Sequence, residues 1–321
     1  MSPQVIAVDL GGTQIRAAVC DPSGQILRRV VRPTKAREGQ EIVLERIART
    51  IAEALEGTAP GQVTAIGIGA PGPLNPATGV LFYAPNLPGW HDVPLRNIVS
   101  ERFGLPTYLG NDANLAALAE HLYGAARGIS DLIYLTISTG IGSGIIADGR
   151  MLLGANGLAG EAGHMIVQPD GPTCGCGNRG CLEAMASGSA IAREAAQRIA
   201  KGKKSKISKL VDGDLSKIDA RIVSEAAQAG DRLAAGVLAR AGQYLGIGIA
   251  NLLRLYNPRM VVLGGSVVKA GPLLLEPMRE VIRAAASSPY LEGLSIVQAA
   301  LGDDVGLLGG AALIVSELQL K

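Results

Sequence analysis

The sequence predicts an α/β protein built from two related domains. Three observations carry the prediction. An apolar run closes in a glycine turn and resumes as a second apolar run over residues 5–19, and the same pattern returns over 132–147. Segments with apolar residues at helical spacing alternate with further apolar runs. Glycine accounts for 43 of 321 residues, nearly twice the share of roughly 7% usual in proteins. It follows no triplet period, so the excess points to tight turns and close backbone approaches rather than a collagen-like repeat.

The elements follow in order. Residues 5–10 read as a buried strand that ends at Gly11, Gly12 and Thr13; residues 15–19 resume as a strand, and Pro22, Ser23 and Gly24 turn into a third at 26–31. Residues 41–55 carry Ile42, Val43, Leu44, Ile47, Ile51 and Leu55 close to helical spacing. A strand at 63–68 breaks at the Gly/Pro-rich stretch 69–73, and a helix is predicted over 113–123 with Gly124 at its C-terminal end. Residues 132–137, the turn 138–144 and residues 145–147 repeat the opening pattern, after which Asp148 and Gly149 make a hairpin turn. Helices are predicted at 191–199, at 233–256 (ended by Asn257 and Pro258), at 273–286 and at 307–320; strands fall at 260–263 and 295–299. The basic run 201–206 reads as a solvated loop.

Composition excludes several classes. A hydrophobic fraction of 48% with 18% charged residues excludes disorder. A net charge of +2 argues against a nucleic-acid partner. No uninterrupted apolar run reaches the roughly 18 residues of a membrane span, so no membrane association is expected. The N-terminus lacks a basic region followed by a signal-length apolar segment, so a cytoplasmic location is expected. Three of the four cysteines crowd at Cys174, Cys176 and Cys181. In a reducing compartment such a cluster reads as metal ligands before disulfides.

Six features carry chemistry. The turn Gly11, Gly12, Thr13 lets backbone N–H groups approach a phosphate, Thr13 adds a hydroxyl, and Asp9 can hold magnesium directly or through water. The turn at 136–144, with Thr139 and Gly140, doubles the argument, and Gly264 with Gly265 can admit the flat face of a nucleobase. Asn111 and Asp112 precede a helix; Asp112 is read both as its N-cap and as a base for a substrate hydroxyl, two roles that can coexist. His164 with Cys174, Cys176 and Cys181 makes a set suited to tetrahedral zinc. If one imidazole nitrogen binds the metal, the other can donate to a ligand, and Glu161 and Glu183 are tethered beside it. Asn86, in a Pro/Gly-rich loop, offers an amide that both donates and accepts, as a polyol requires. Trp90 reads as a core residue and Cys20 as an inert strand residue.

These residues resemble the ROK family of repressors, open reading frames and sugar kinases over nearly the whole chain. The segment 161–183, with E-x-G-H and C-x-C-G-x-x-G-C-x-E, is specific for its zinc-containing branch; position 162 is Ala where many members carry a larger aliphatic residue. The resemblance implies an actin-like (ribonuclease H-like) fold of two α/β domains, with an active site in the cleft. The boundaries expected are 1–113, completed by the C-terminal helix at about 305–321, and 114–304 with the zinc knuckle. It implies ATP-dependent phosphorylation of a hexose with Mg2+, most often at the 6-hydroxyl. Asp112 would be the base. Asn86, Asn111, Asp112, Glu161, His164 and Glu183 would bind the sugar. Asp9, Gly11, Gly12, Thr13, Thr139, Gly140 and Gly265 would surround nucleotide and magnesium, and His164, Cys174, Cys176 and Cys181 would bind structural Zn2+. Glucose leads as substrate; N-acetylmannosamine, N-acetylglucosamine, mannose and fructose are the alternatives, and polyphosphate is an alternative donor. A homodimer or homotetramer is expected. A sugar-responsive transcriptional repressor is disfavoured, because the first strand begins by Val5 and leaves no room for a helix-turn-helix. A non-metabolic actin-like ATPase explains the glycine turns but not the tethered carboxylates.

Overall fold

Strand β1 (Gln4–Leu10) alternates its side chains between two helical layers, and this alternation sets the architecture of the first part of the chain. A computed structural model describes residues 3–320. After β1 come β2 (Gln14–Cys20), β3 (Ile26–Pro33), α1 (Gln40–Leu55), β4 (Val63–Ala70), β5 (Leu74–Asn75), β6 (Val80–Tyr83), β7 (His91–Val93), α2 (Leu95–Phe103), β8 (Thr107–Asn111) and α3 (Asp112–Leu122). The chain continues through β9 (Leu132–Ile137), β10 (Ile141–Ala147), β11 (Arg150–Met151), α4 (Leu182–Ala186), α5 (Gly188–Ala200), α6 (Ile207–Leu210), α7 (Ala220–Gln228) and α8 (Arg232–Tyr256). It ends with β12 (Met260–Gly264), α9 (Pro272–Ala285), α10 (Ser288–Leu291), β13 (Ser295–Gln298) and α11 (Val305–Leu318).

The first sheet has the order β3-β2-β1-β4-β8, antiparallel among β1, β2 and β3 and parallel from β1 through β4 to β8. On one face Ile6, Val8 and Leu10 pack with Val43, Ile47 and Ile51 of α1 and with Trp90, which is a core residue. On the other face Val5 and Ala7 meet Leu307, Ala311 and Ile314 of α11. That second interface is close because it is built from small residues: a methyl group on Gly67 would overlap the carbonyl oxygen of Gly310. The second sheet has the order β11-β10-β9-β12-β13, and a third, β5-β6-β7, is a small antiparallel ribbon.

Internal contacts divide the chain into two units. The first runs up to Ser130 and includes Gly144–Gly160 and the chain from Ala299 onward; the second comprises Asp131–Ser143 and Glu161–Gln298. The boundary lies later than the one expected at residue 113, because α3 packs on α11: a methyl on Gly309 would meet Leu115 Cβ at 2.8 Å. The segment 299–304 likewise falls in the first unit rather than in the expected 114–304 domain.

Helix α8 is the one described helix long and apolar enough to cross a membrane by length and composition. Its apolar face is consumed by packing instead. Val237, Leu238, Leu245, Ile249 and Leu253 are buried, and Gly246 lets α9 approach so closely that a methyl there would lie 2.6 Å from the Met278 carbonyl oxygen.

Candidate active site

In the first unit, the turn between β1 and β2 is braced by backbone and by Thr34. Gly11 N–H donates to the Gln14 carbonyl at 2.9 Å, Thr34 N–H to the Thr13 carbonyl at 2.8 Å, and the Thr34 hydroxyl to the Gly11 carbonyl at 2.5 Å. Asp9 and Arg16 stand opposite each other in the β1–β2 register. Arg16 Nε accordingly donates to Asp9 Oδ2 at 2.8 Å, and its other nitrogens reach the same oxygen and the Asp303 carbonyl, each at 2.5 Å. The carboxylate read as a magnesium ligand thus carries a guanidinium partner. The sequence signal was the turn itself, whose length sets residue 16 across from residue 9. Asn86 is exposed and lies against the turn: a methyl on Gly12 would come within 2.6 Å of Asn86 Cβ.

Asn111 and Asp112 sit where β8 becomes α3. The N-cap is Asn111 rather than Asp112. Asn111 Oδ1 accepts from Ala113 N–H at 3.0 Å and Asn114 N–H at 3.3 Å, and its Nδ2 donates to the Gly72 carbonyl at 3.2 Å. The cap engages both lone pairs of Oδ1 and leaves one amide proton for any other partner. Asp112 is exposed in the first turn of α3, with Oδ1 accepting from Ala113 N–H at 2.8 Å. The positive end of the helix favours its ionised form.

In the second unit, two glycine turns meet. Gly265, at φ +89°, lies so close to the end of β9 that any side chain would overlap the Ile137 carbonyl. Ser266 N–H donates to Ser138 Oγ at 3.2 Å. The first amides of α5 also serve this turn: Gly188 N–H donates to the Ser138 carbonyl at 2.7 Å and Ser189 N–H to the Thr139 carbonyl at 3.3 Å. Sequence reasoning did not connect α5 with the turn, since nothing near Ser187 signals its distant partner.

The segment 161–183 folds as a knuckle. A bridge joins Ile166 to Cys181, another joins Thr173 to Arg179, and Gly180, at φ +67°, reverses the chain. The ligand atoms of His164, Cys174, Cys176 and Cys181 all lie within 4.8 Å of one another. Cys176 Sγ is 3.7 Å from Cys181 Sγ, and Cys174 Sγ is 3.7 Å from His164 Nδ1. Tetrahedral zinc with bonds of about 2.3 Å to sulfur requires sulfur separations of about 3.8 Å, so the set fits. Donor chemistry agrees. Burial lifts the Cys181 thiol to about 12, aided by Cys176 and Cys174, and burial also lifts Cys174, while the Asn178 N–H lowers Cys176. At the two thiols that burial disfavours as thiolates, a bound cation would take the place of the proton.

Glu161 and Glu183 extend from this knuckle. Glu183 Oε2 accepts from Ile141 N–H at 2.9 Å, and Oε1 lies 3.6 Å from Cys174 Sγ. A methyl on Gly140 would overlap Glu183 Oε2, so a side chain there would displace that carboxylate. Glu183 therefore links the knuckle to the second glycine turn. Glu161 precedes the short turn Ala162–His164, whose Ala162 N–H donates to Ser143 Oγ at 2.9 Å. Loss of water raises the Glu161 carboxyl, against the pull of His164 and with the push of Glu183.

Two units, each with a glycine turn at the end of a first strand, define the actin-like ATPase fold, here with a His/Cys knuckle that can hold zinc. A profile of the ROK family matches residues 5–317, and the chain belongs to that family. A glucokinase of Thermotoga maritima is 38% identical over 97% of this chain and 97% of its own. A solved ROK hexokinase from Thermus thermophilus is 41% identical, with a TM-score of 0.83 over 98% of this chain and 99% of the other. A ROK family glucokinase from Streptomyces griseus, solved in complex with glucose and AMPPNP, is 37% identical with a TM-score of 0.82, covering 97% and 98%.

Proposed function

We propose that this protein transfers the γ-phosphoryl group of ATP to the 6-hydroxyl of glucose. The observation that carries the reading is Glu183, a carboxylate tied at once to the Cys/His knuckle and to the second glycine turn. It makes a sugar-recognising group and a phosphate-binding turn parts of one rigid assembly. The two glucokinase relatives, one holding glucose and AMPPNP, support the choice of substrates.

In this reading Asp112 accepts the proton of the 6-hydroxyl as the new O–P bond forms and the bond from the γ-phosphorus to the β–γ bridging oxygen breaks, leaving ADP. A capped helix N-terminus makes Asp112 a weak base, which suffices because phosphoryl transfer through a loose transition state depends on positioning more than on proton abstraction. Asn86, Asn111, Glu161, His164 and Glu183 take the sugar hydroxyls. The backbone amides around Gly11, Gly12, Thr13, Thr139, Gly140 and Gly265 take the nucleotide. Asp9 would hold Mg2+, which supplies charge neutralisation on the phosphates. His164 Nδ1 and the three cysteines would hold Zn2+, which fixes the imidazole tautomer so that Nε2–H points away as a donor. The family resemblance supports a cytoplasmic homodimer or homotetramer, which sedimentation and cell fractionation test.

The experiment is a coupled ATP assay over a hexose panel, paired with Asp112→Ala. Glucose should be the preferred acceptor. The substitution should lower kcat by about 10²–10⁴-fold, the usual range for a lost general base, with glucose affinity held within about tenfold. Preference for an N-acetylhexosamine replaces the substrate assignment, and retained turnover in the variant removes Asp112 from the role of base.

A further inference from the structure

Glu120 is a charged side chain that the proposed chemistry leaves unused. It is fully buried near the end of α3. The hydrogen-bond partners of its carboxylate among the described residues are backbone amides. Oε2 accepts from Ala125 N–H at 2.7 Å; Ala300 N–H reaches Oε1 at 2.9 Å and Oε2 at 3.1 Å; Leu301 N–H reaches Oε1 at 3.0 Å. Its own carbonyl takes Gly124 N–H and Ala126 N–H. Gly124 is needed for this approach, since a side chain there would overlap Oε2.

The positions of those amides along the chain give the arrangement its meaning. Ala125 lies on the segment by which the chain leaves the first unit after Ser130, and Ala300 and Leu301 lie just past the point where it returns at Ala299. One buried carboxylate therefore joins the first exit to the last return, and its bond to Ala300 spans 180 residues of sequence. Leu301 leads into the short turn and the helix α11, whose first amides favour a negative charge. α11 in turn backs the first glycine turn: a methyl on Gly306 would lie 2.8 Å from Asp9 Cγ. α3 opens with Asp112.

We propose that Glu120 is a positioning residue: a staple that makes the first outgoing and the last returning connection of the first unit a single mechanical element and holds α3, with Asp112, in register with the α11 that backs Asp9. Its effect on turnover rests on the phosphoryl-transfer reading.

The test is amide hydrogen exchange on the full-length protein, with steady-state kinetics on Glu120→Gln. Glutamine keeps the shape but turns one acceptor oxygen into an NH2 group that cannot receive an amide. In the wild type, the amides of Ala125, Ala300 and Leu301 should exchange through one opening, at a common protection factor. In Glu120→Gln both segments should lose protection together by about tenfold or more, the scale of a bond to a charged acceptor. The value of kcat per folded molecule should fall by about tenfold, with KM for ATP and glucose within about threefold. Separate opening of the two segments, in either protein, overturns the staple. So does a variant that melts earlier yet keeps wild-type kcat, since that is a merely structural role. If Glu120→Gln does not fold, the wild-type protection factors decide alone. A wild type that phosphorylates no hexose sinks the functional reading only, and the exchange pattern still decides the staple.

Discussion

The first sheet and the second have the same strand order, third-second-first-fourth-fifth in each, and they place different chemistry at the same point. Asp9, near the end of β1, pairs with Gly69 of the parallel strand β4. Thr136, near the end of β9, pairs with Gly264 of the parallel strand β12. A carboxylate stands in one turn where a hydroxyl stands in the other. The means of holding the turns also differ. The first is backed by glycines and alanines of α11 pressed onto the sheet, and the second by hydrogen bonds to Glu183 and from Gly188 and Ser266, together with the knuckle. A repeated scaffold thus adds close apolar packing to the local polar bracing of its turn in one unit, and distant polar tethers with a candidate metal knuckle in the other.

If that contrast is right, chelation should act on one unit alone. Metal analysis should find one zinc per chain. Stripping it should cost the second unit about 4 kcal/mol, the linkage value for a ligand present at a thousandfold over its Kd. Calorimetry checks this, and an unchanged melting profile after chelation would break the comparison. The converse probe is Gly67→Ala in the first unit. Its methyl would overlap a carbonyl oxygen of α11, which is backbone and cannot swing aside, so the cost should approach the upper end of overpacking, about 3 kcal/mol. Zinc content should stay at wild-type level. Gly140→Ala sharpens the comparison further. Its methyl meets the end of a side chain, so stability should fall by only about 1 kcal/mol. The displaced Glu183 should nevertheless lower turnover by about tenfold, as misplacement near reacting groups does. Loss of stability with intact kcat would remove Glu183 from the working site.

Much of this was legible in the sequence because it is local. The glycine turns, the knuckle spacing and the helix α8 with its Asn257 and Pro258 stop are written in runs of neighbouring residues. What escaped depends on partners far along the chain. The small ribbon β5-β6-β7 has strands of two to four residues, too short for a period to register. Asn111 displaced Asp112 as N-cap because the helix begins one residue earlier, leaving Asn111 extended with its side chain accepting from both Ala113 and Asn114 N–H. The domain boundary moved because α3 finds its partner α11 nearly two hundred residues later, in contacts made through Gly309 that carry no pattern of their own.

The gentlest probe concerns α8, in the second unit. Asp231 caps this helix, with Oδ1 accepting from Ala234 N–H at 2.8 Å and Oδ2 from Lys206 N–H at 2.5 Å and the Ser205 hydroxyl at 3.0 Å. Burial alone would raise its pKa, but these donors outweigh it and the carboxyl lies below its ordinary value. A lowered folded pKa means that the native state binds the proton less tightly than the unfolded chain. The stabilisation is therefore complete above the unfolded value of about 3.9 and fades as pH falls through the folded one. Asp231→Asn keeps the shape of the cap and removes the charge, so it should cost about 1 kcal/mol at pH 7, the difference between a charged and a neutral acceptor. That gap should narrow as the pH drops below about 4. Urea melts of metal-stripped wild type and variant, followed from pH 7 to pH 3, keep thiolate protonation out of the comparison. A gap that stays constant across that range would show that the cap acts through shape alone, and the second unit would lose one of its polar tethers.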